Sequence, residues 1–106
     1  MSKTPDIKTL RTIAHTLHPL VTVAEKGLSE TVQQEIARAL HDHELIKIRV
    51  LVGDRAERQR LVHAICEEEN ATLVQRIGHV AVLYRANPKP DPKLSNILRH
   101  KQTQKR

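Results

Sequence analysis

A nine-residue run near the middle of the chain, ELIKIRVLV at positions 44–52, alternates between two kinds of side chain. Its isoleucines and valines fall on one face of an extended chain, whereas Lys47 and Arg49 fall on the other face with Leu45 and Leu51, because successive side chains of a strand point to opposite sides. The run therefore predicts a half-buried strand whose two cations face outward. A shift of one residue would bury both charges, so burial of one face fixes the register.

Helical periodicity precedes and follows this strand. Apolar residues recur at three- and four-residue spacing in three segments, which is typical of amphipathic helices; these segments are residues 6–17, about 30–42 and about 55–69. Ser29 and Asp54 stand at the N-cap positions of the second and third helices, and Pro19 ends the first. A short β-branched strand, LVTVA at positions 20–24, separates the first two helices.

The last apolar segments predict a β-hairpin. Residues 71–77 and 80–85 are strand-like runs separated by Gly78 and His79, and glycine at the first position of a two-residue loop suits a type II′ turn. The element order is helix, strand, helix, strand, helix, strand, strand. Strands joined through a helix run parallel, so the sequence predicts an α/β fold with a four-stranded mixed sheet and helices on one or both faces.

The composition limits the chemistry of such a domain. The chain has no Phe, no Trp and one Tyr, so its core is aliphatic and Tyr84 alone is available as a base-stacking platform. The single cysteine, Cys66, excludes an internal disulfide and a cysteine-rich zinc site. The sequence has no apolar run long enough for a membrane span and no signal-peptide stretch, so we expect a cytoplasmic protein with no membrane partner.

The basic charge is concentrated near the C-terminus. The formal net charge is +6, but residues 1–86 hold 12 Lys and Arg against 11 Asp and Glu, whereas residues 87–106 hold 6 against 1. We interpret residues 1–86 as the folded domain and residues 87–106 as a flexible basic tail, because prolines at 88, 90 and 92 favour an extended path. The tail is either a solubilising terminus or an arm that lies along phosphates.

The seven histidines predict no metal or catalytic centre. His41 and His43 flank one aspartate, and His63 shares a helix face with Cys66, so each place offers two ligands, whereas a structural zinc site needs four and a catalytic one three plus water. No nucleophile elbow, Walker loop or dinucleotide fingerprint is present in the sequence. The sequence therefore predicts no cofactor, no metal and no enzyme. The enzymatic alternative is a small hydrolase or nuclease that uses a histidine pair such as His41 and His43.

Two runs, VTVAEKGLSETVQQEIARALHDHELIKIRVLVGDR and RIGHVAVLYR, together resemble the CRM domain (chloroplast RNA splicing and ribosome maturation), most closely its stand-alone bacterial form, the YhbY family. The resemblance covers about residues 8–86. It implies an RNA-binding protein that acts in assembly of the large ribosomal subunit. It also implies a fold similar to the C-terminal domain of bacterial translation initiation factor three.

Members of this family usually carry a GxxG loop between the first strand and the second helix. The matching positions here are Ala24, Glu25, Lys26 and Gly27, so only the second glycine is present. Glycines let the backbone approach phosphates, while amides at the helix start donate hydrogen bonds. Glu25 places a negative charge where an anion would dock, and the resemblance therefore leaves Lys26 and Gly27 as the RNA contacts of this loop.

Other cations complete the predicted RNA surface. Lys47 and Arg49, two residues apart on one strand face, are spaced to meet successive phosphates. Arg76 and Arg85 are predicted to be cross-strand neighbours around the hairpin turn, where two like charges favour an anion between them. The candidate RNA-binding residues are Lys26, Gly27, Lys47, Arg49, Arg76, His79 and Arg85.

The resulting prediction is a monomeric RNA-binding protein whose partner is ribosomal RNA in the precursor of the large subunit, recognised by backbone contacts and shape. The alternative is a protein-interaction module, because residues 1–86 are nearly neutral and a mixed sheet with an acidic helix end could dock a ribosomal protein or an assembly factor. Binding to purified RNA alone separates the two.

Overall fold

The computed structural model describes residues 5–24 and 28–104, which form four helices and four strands. The helices are α1 (Ile7–Ala14), α2 (Glu30–His43), α3 (Arg55–Glu69) and α4 (Asn96–Gln104), and the strands are β1 (Pro19–Val23), β2 (Leu45–Val50), β3 (Thr72–Ile77) and β4 (Val80–Tyr84). The first seven elements confirm the predicted order, and α4 is an addition to it. None of the helices in the described segments is both long and apolar enough to cross a membrane.

Side-chain caps start the helices where the sequence places them. The Ser29 hydroxyl accepts a hydrogen bond from the amide of Val32 (3.2 Å), and the Asp54 carboxylate accepts one from the amide of Glu57 (2.9 Å). Each cap satisfies an amide that has no partner within the helix. Both N-cap predictions are therefore confirmed.

The sheet has the strand order β1-β2-β4-β3, in which β1 and β2 are parallel and the other two pairs are antiparallel. The predicted four-stranded mixed sheet is confirmed. The hairpin pairs Ile77 with Val80 across a two-residue loop, and φ is positive at Gly78 (+57°) but not at His79. These are the φ signs of the predicted type II′ turn.

Helices cover both faces of the sheet, and each face has its own aliphatic core. The first face, against α2 and α3, buries Ile36, Leu40, Ile46, Ile48 and Ile65 among others. The second face, against α1 and α4, buries Leu10, Ile13, Leu45, Val82 and Tyr84 among others. Helices α1 and α4 cover the end of the second face that contains Leu45 and Tyr84. The other end, which contains Arg49 and Ile77, is exposed.

The prediction of a flexible tail after residue 86 is wrong for residues 87–104. Glu44 is only 5% exposed, and its carboxylate accepts hydrogen bonds from the Asn87 amide (2.8 Å) and the Ser95 hydroxyl (2.7 Å). The Asn96 side-chain amide donates to the carbonyl of Leu45 (2.7 Å), and Ile97 is buried in the core of the second face. The charge and proline content of this segment gave no indication of its two buried contacts, the polar Ser95 and the apolar Ile97.

Candidate functional site

Three connections meet at one end of the sheet, where strands begin or end. Because β1 and β2 are parallel, both end there, and the antiparallel β4 begins there. The amide of Leu51 donates to the carbonyl of Val23 (2.8 Å), and the amide of Val50 donates to the carbonyl of His79 (2.6 Å). We call this place, formed by the connections that follow Val23 and Val50 and by the hairpin turn, the loop edge.

The connection from β1 to α2 leaves from the loop edge. Lys26 and Gly27, the candidate contacts of this connection, lie outside the described residues, so their role stays a prediction. The flanking Ala24 is exposed, and α2 begins after its Ser29 cap. The first amides of a helix carry partial positive charge and favour anions, which fits the position that the GxxG loop occupies in the family.

Lys47 and Arg49 lie on the same face of β2, as predicted. Lys47 is half-buried and Arg49 is exposed. In the register of the sheet, Lys47 stands beside Val82, and Arg49 stands beside Val80. On the far side of β4, Gln75 pairs with Val82, and Ile77 pairs with Val80. We call the partly covered end of the second face the open sheet face. Its members with exposed or half-buried side chains are Lys47, Arg49, Gln75, Ile77 and Val80, and the buried Val82 lies at its boundary with the core.

Helix α1 adds one cationic side chain and one imidazole that the sequence interpretation missed. Arg11 and His15, one helical turn apart, line a depression of about 250 Å³ beside Lys47 on the open sheet face. The signal was present in the sequence, because positions 11 and 15 flank the buried stripe of Leu10 and Ala14 on α1. Only the placement of α1 over β2 and β3 turns that flank toward the sheet.

Arg76 and Arg85 are not cross-strand neighbours, and that prediction is wrong. The two-residue turn pairs Ile77 with Val80, so the partner of Arg76 is Ala81. Arg85 follows Tyr84, the last residue of β4, at the opposite end of the hairpin. Both arginines are on the side of the sheet that faces α2 and α3, away from Lys47 and Arg49.

Arg85 makes contacts within the domain. Its Nη1 atom donates to the Glu69 carbonyl and is 3.2 Å from the Glu69 carboxylate, and its Nη2 atom donates to the carbonyl of Ala37 (3.1 Å). The guanidinium therefore joins the C-terminal end of α3 to α2. A cation at a helix C-terminus interacts favourably with the helix dipole. The last turn of α3 is acidic and has no basic residue of its own, so Arg85 provides this cation from the end of β4.

His79 and the start of α3 add to the loop edge. His79 is exposed in the hairpin turn, next to the row formed by Arg49 and Val80. Arg58 lies in the first turns of α3, and its Nη1 atom donates to the carbonyl of Gly53 (2.9 Å). Arg55, the first residue of α3, is exposed beside it. Among the described residues, the hairpin turn thus brings the His79 imidazole to the loop edge, and the start of α3 brings the cations Arg55 and Arg58.

Two side chains with a nucleophilic atom, Cys66 and Tyr84, have shifted pKa values. Burial raises the pKa of the Cys66 thiol, which keeps it protonated and poorly nucleophilic at neutral pH. Burial also raises the pKa of the Tyr84 phenol, and the charge of the nearby Glu44 raises it further. Neither group has the lowered pKa of an activated nucleophile.

The four-stranded mixed sheet, with cations on its open face and a helix start beside the exit of β1, is an α/β domain with a surface suited to a polyanion. The chain matches the sequence model of the CRS1/YhbY (CRM) domain over residues 3–85 and belongs to this family. A protein of Pseudomonas aeruginosa named a probable RNA-binding protein is 47% identical over 92 residues, covering 87% of this chain and 88% of that protein. An RNA-binding protein of Haemophilus influenzae is 47% identical over 76 residues, covering 72% and 77%.

A solved structure has the same fold. The solution structure of a Staphylococcus aureus protein, described as a candidate RNA-binding protein, superposes with a TM-score of 0.72 at 27% sequence identity. The match covers 90% of this chain and 98% of that one. The match extends over more of the chain than residues 3–85, the part that the family model matches.

Proposed function

We propose that the protein binds RNA through the loop edge and the adjoining open sheet face. Family membership and the names of the relatives support RNA as the partner. The observation that carries the location is the grouping of Arg11, His15 and Lys47 around one depression whose lining includes no carboxylate within the described residues. Arg49 extends this cationic surface toward the loop edge.

The contacts of such a surface are made with the RNA backbone. Lysine and arginine neutralise phosphates and release counterions, and each phosphate so neutralised lowers the slope of log affinity against log salt by about 0.7 to 0.9. Main-chain amides at the start of α2 add hydrogen bonds without reading a base. Recognition therefore depends on RNA shape more than on base identity.

The finer part of the proposal is that the RNA is ribosomal and belongs to the precursor of the large subunit. Its support is the resemblance of the chain to domains of RNA splicing and ribosome maturation. Purified full-length protein would be mixed with large-subunit precursor particles, mature large subunits and mature small subunits, and the mixtures would be sedimented. We expect co-sedimentation with the precursor. Equal recovery with all three particles would contradict this assignment but not RNA binding itself.

RNA binding is tested with a charge-removing variant on each face of the sheet. Arg49→Gln changes an exposed cation of the open sheet face, and Arg38→Gln changes a cation that is 84% exposed on α2. Affinity for a structured ribosomal RNA fragment is measured over a salt series. We expect Arg49→Gln to weaken binding and to reduce the salt slope by about 0.7 to 0.9, with Arg38→Gln unchanged. Equal effects would argue against this face.

The same titrations separate the protein-interaction alternative. Binding of purified RNA by the full chain alone favours the proposal. A salt-independent affinity, or binding that needs a ribosomal protein to be present, would favour docking to a protein.

A further inference from the structure

The depression on the open sheet face has an apolar floor between two polar sides. Val80 and Val82 of the central strand form the floor, and Ile77 of the edge strand, 65% exposed, extends it. Lys47 stands on one side of the floor and Gln75 on the other, because both pair with Val82. A large exposed isoleucine beside a lysine and a glutamine is a surface that both apolar and polar groups of a ligand can use.

Helix α1 forms the wall of the depression. Arg11 and His15 are spaced four residues apart, so both side chains lie on the same side of the helix. Ala14, which also lines the depression, is small and leaves room between the wall and the floor. The volume of about 250 Å³ is slightly below the roughly 300–1,000 Å³ of pockets that enclose drug-sized ligands. The space therefore suits one base-sized group.

We infer that this depression holds one unpaired nucleotide of the bound RNA, an inference that rests on the proposed function. The base lies on Val80 and Ile77, and its edge meets the Gln75 side-chain amide, which has both donors and an acceptor. Lys47 and Arg11 contact the adjoining phosphates. A nucleotide combines a flat apolar face, a hydrogen-bonding edge and a negative charge, and the depression offers a partner for each.

The site also accounts for how this chain can bind a base without an exposed Phe, Trp or Tyr side chain. Tyr84, its single aromatic residue, is buried in the core of the second face. Bases that leave a helix stack on imidazole rings as well as on larger aromatic rings, and His15 lines the depression beside its aliphatic floor. The row of Arg49, Val80 and Ile77 leads from the depression to the hairpin turn of the loop edge. One RNA can therefore occupy both places.

The test compares two RNAs that share one hairpin, of which one is blunt and the other carries a three-nucleotide single-stranded extension. The full chain is used with Gln75→Glu, which puts a negative charge in the depression, and with the matched control Gln34→Glu on the exposed side of α2. We expect Gln75→Glu to weaken binding of the extended RNA about five- to tenfold. The blunt RNA should change by no more than about twofold, as should both RNAs with the control.

A second variant and a direct titration keep the test decisive. Ile77→Ser removes the apolar extension of the floor at an exposed position and should cause the same selective loss. Uridine and adenosine monophosphates, added to isotope-labelled full-length protein, should shift the amide signals of Gln75, Ile77 and Val80. A hexaglutamate peptide is the competing probe for an acidic protein partner.

Each contrary outcome has a distinct meaning. Equal losses for both RNAs would show that charge alone acts, and no loss for either would place the unpaired nucleotide elsewhere; both overturn the inference. Amide shifts with hexaglutamate but not with the mononucleotides would assign the depression to an acidic peptide. If the unaltered chain binds neither RNA, the proposed function fails, and the mononucleotide titration still decides whether the depression takes a nucleotide.

Discussion

The hydroxyl of Ser95 donates a hydrogen bond of 2.7 Å to the carboxylate of Glu44, fifty-one residues earlier in the chain. Both residues are buried, and Glu44 adopts a positive φ of 61°, a conformation that costs energy for a residue with a side chain. The amide of Asn87 donates to the other oxygen of the same carboxylate (2.8 Å). The junction of α2 and β2 thus holds the C-terminal segment in place.

Ser95→Ala should destabilise the whole domain. The substitution leaves one oxygen of a buried carboxylate without its hydroxyl donor, which costs about 1–3 kcal/mol. Chemical unfolding followed by circular dichroism measures the loss. The matched control is Thr31→Ala, which removes an exposed hydroxyl from α2 and should change stability by no more than about 0.5 kcal/mol. Equal stability of the two variants would mean that the C-terminal segment does not depend on Glu44.

Arg85→Ala should lower the free energy of unfolding, whereas the RNA affinity of the folded variant should change little. The guanidinium donates to two main-chain carbonyls and pairs with Glu69, and hydrogen bonds to a charged group contribute about 1.5–3 kcal/mol. Arg38→Ala is the control, because its exposed pair with Asp42, at 3.6 Å, contributes about 0.3–0.5 kcal/mol. A stable Arg85→Ala variant with much weaker RNA binding would instead place Arg85 in the RNA surface.

The local sequence was enough to predict elements whose causes are local. The alternation in β2 predicted that Lys47 and Arg49 share a face, and Gly78 predicted the hairpin turn; the structure agrees on both. The predicted pairing of Arg76 with Arg85 was wrong because it did not follow the register of the turn. A two-residue turn pairs Ile77 with Val80 and therefore Arg76 with Ala81. Arg11 was missed because only the packing of α1 on the sheet brings it beside Lys47.

The C-terminal segment shows a second limit of sequence reasoning. Charge and proline content predicted flexibility, but the contacts that hold this segment join it to residues about fifty positions away. No sequence pattern within residues 87–106 predicts that Asn87 and Ser95 donate hydrogen bonds to Glu44. The positive φ of Glu44 arises from tertiary structure and has no signature in the sequence.

Ile48→Ala should cost about 2–5 kcal/mol of stability, because it opens a cavity in an aliphatic core that has few large side chains to fill it. Ile48 is fully buried on the first face, between α2 and α3 and the sheet. Leu51→Ala, at an exposed position shortly after the same strand, is the control. Equal urea midpoints for both variants would contradict the placement of the core.

The Cys66 thiol should react slowly with iodoacetamide in the folded protein. Burial raises its pKa, so the thiolate fraction at pH 8 is smaller than that of an exposed cysteine. Mass spectrometry of timed samples gives the rate, and the same protein in urea gives the reference rate of the unfolded chain. Because the folded state holds this proton more tightly, the thiol should also make stability decline as pH rises above about 9. Identical rates in buffer and urea would rule out the burial.

Removal of residues 88–106 should destabilise the domain as well as reduce its positive charge. A chain ending at Asn87 lacks the Ser95 hydroxyl and the buried side chain of Ile97, which together contribute about 3 kcal/mol or more. The melting temperature should fall by at least ~10 °C.

A chain ending at Gln102 is the control for this truncation, because it loses the terminal Lys105 and Arg106 but keeps both anchors. Its melting temperature should stay close to that of the full chain. If the chain ending at Asn87 is equally stable, the segment is dispensable for folding and its charges alone matter. If it is unstable, lost RNA binding after truncation reports lost structure, and only substitutions of exposed cations, such as Lys101→Gln, isolate the contribution of charge.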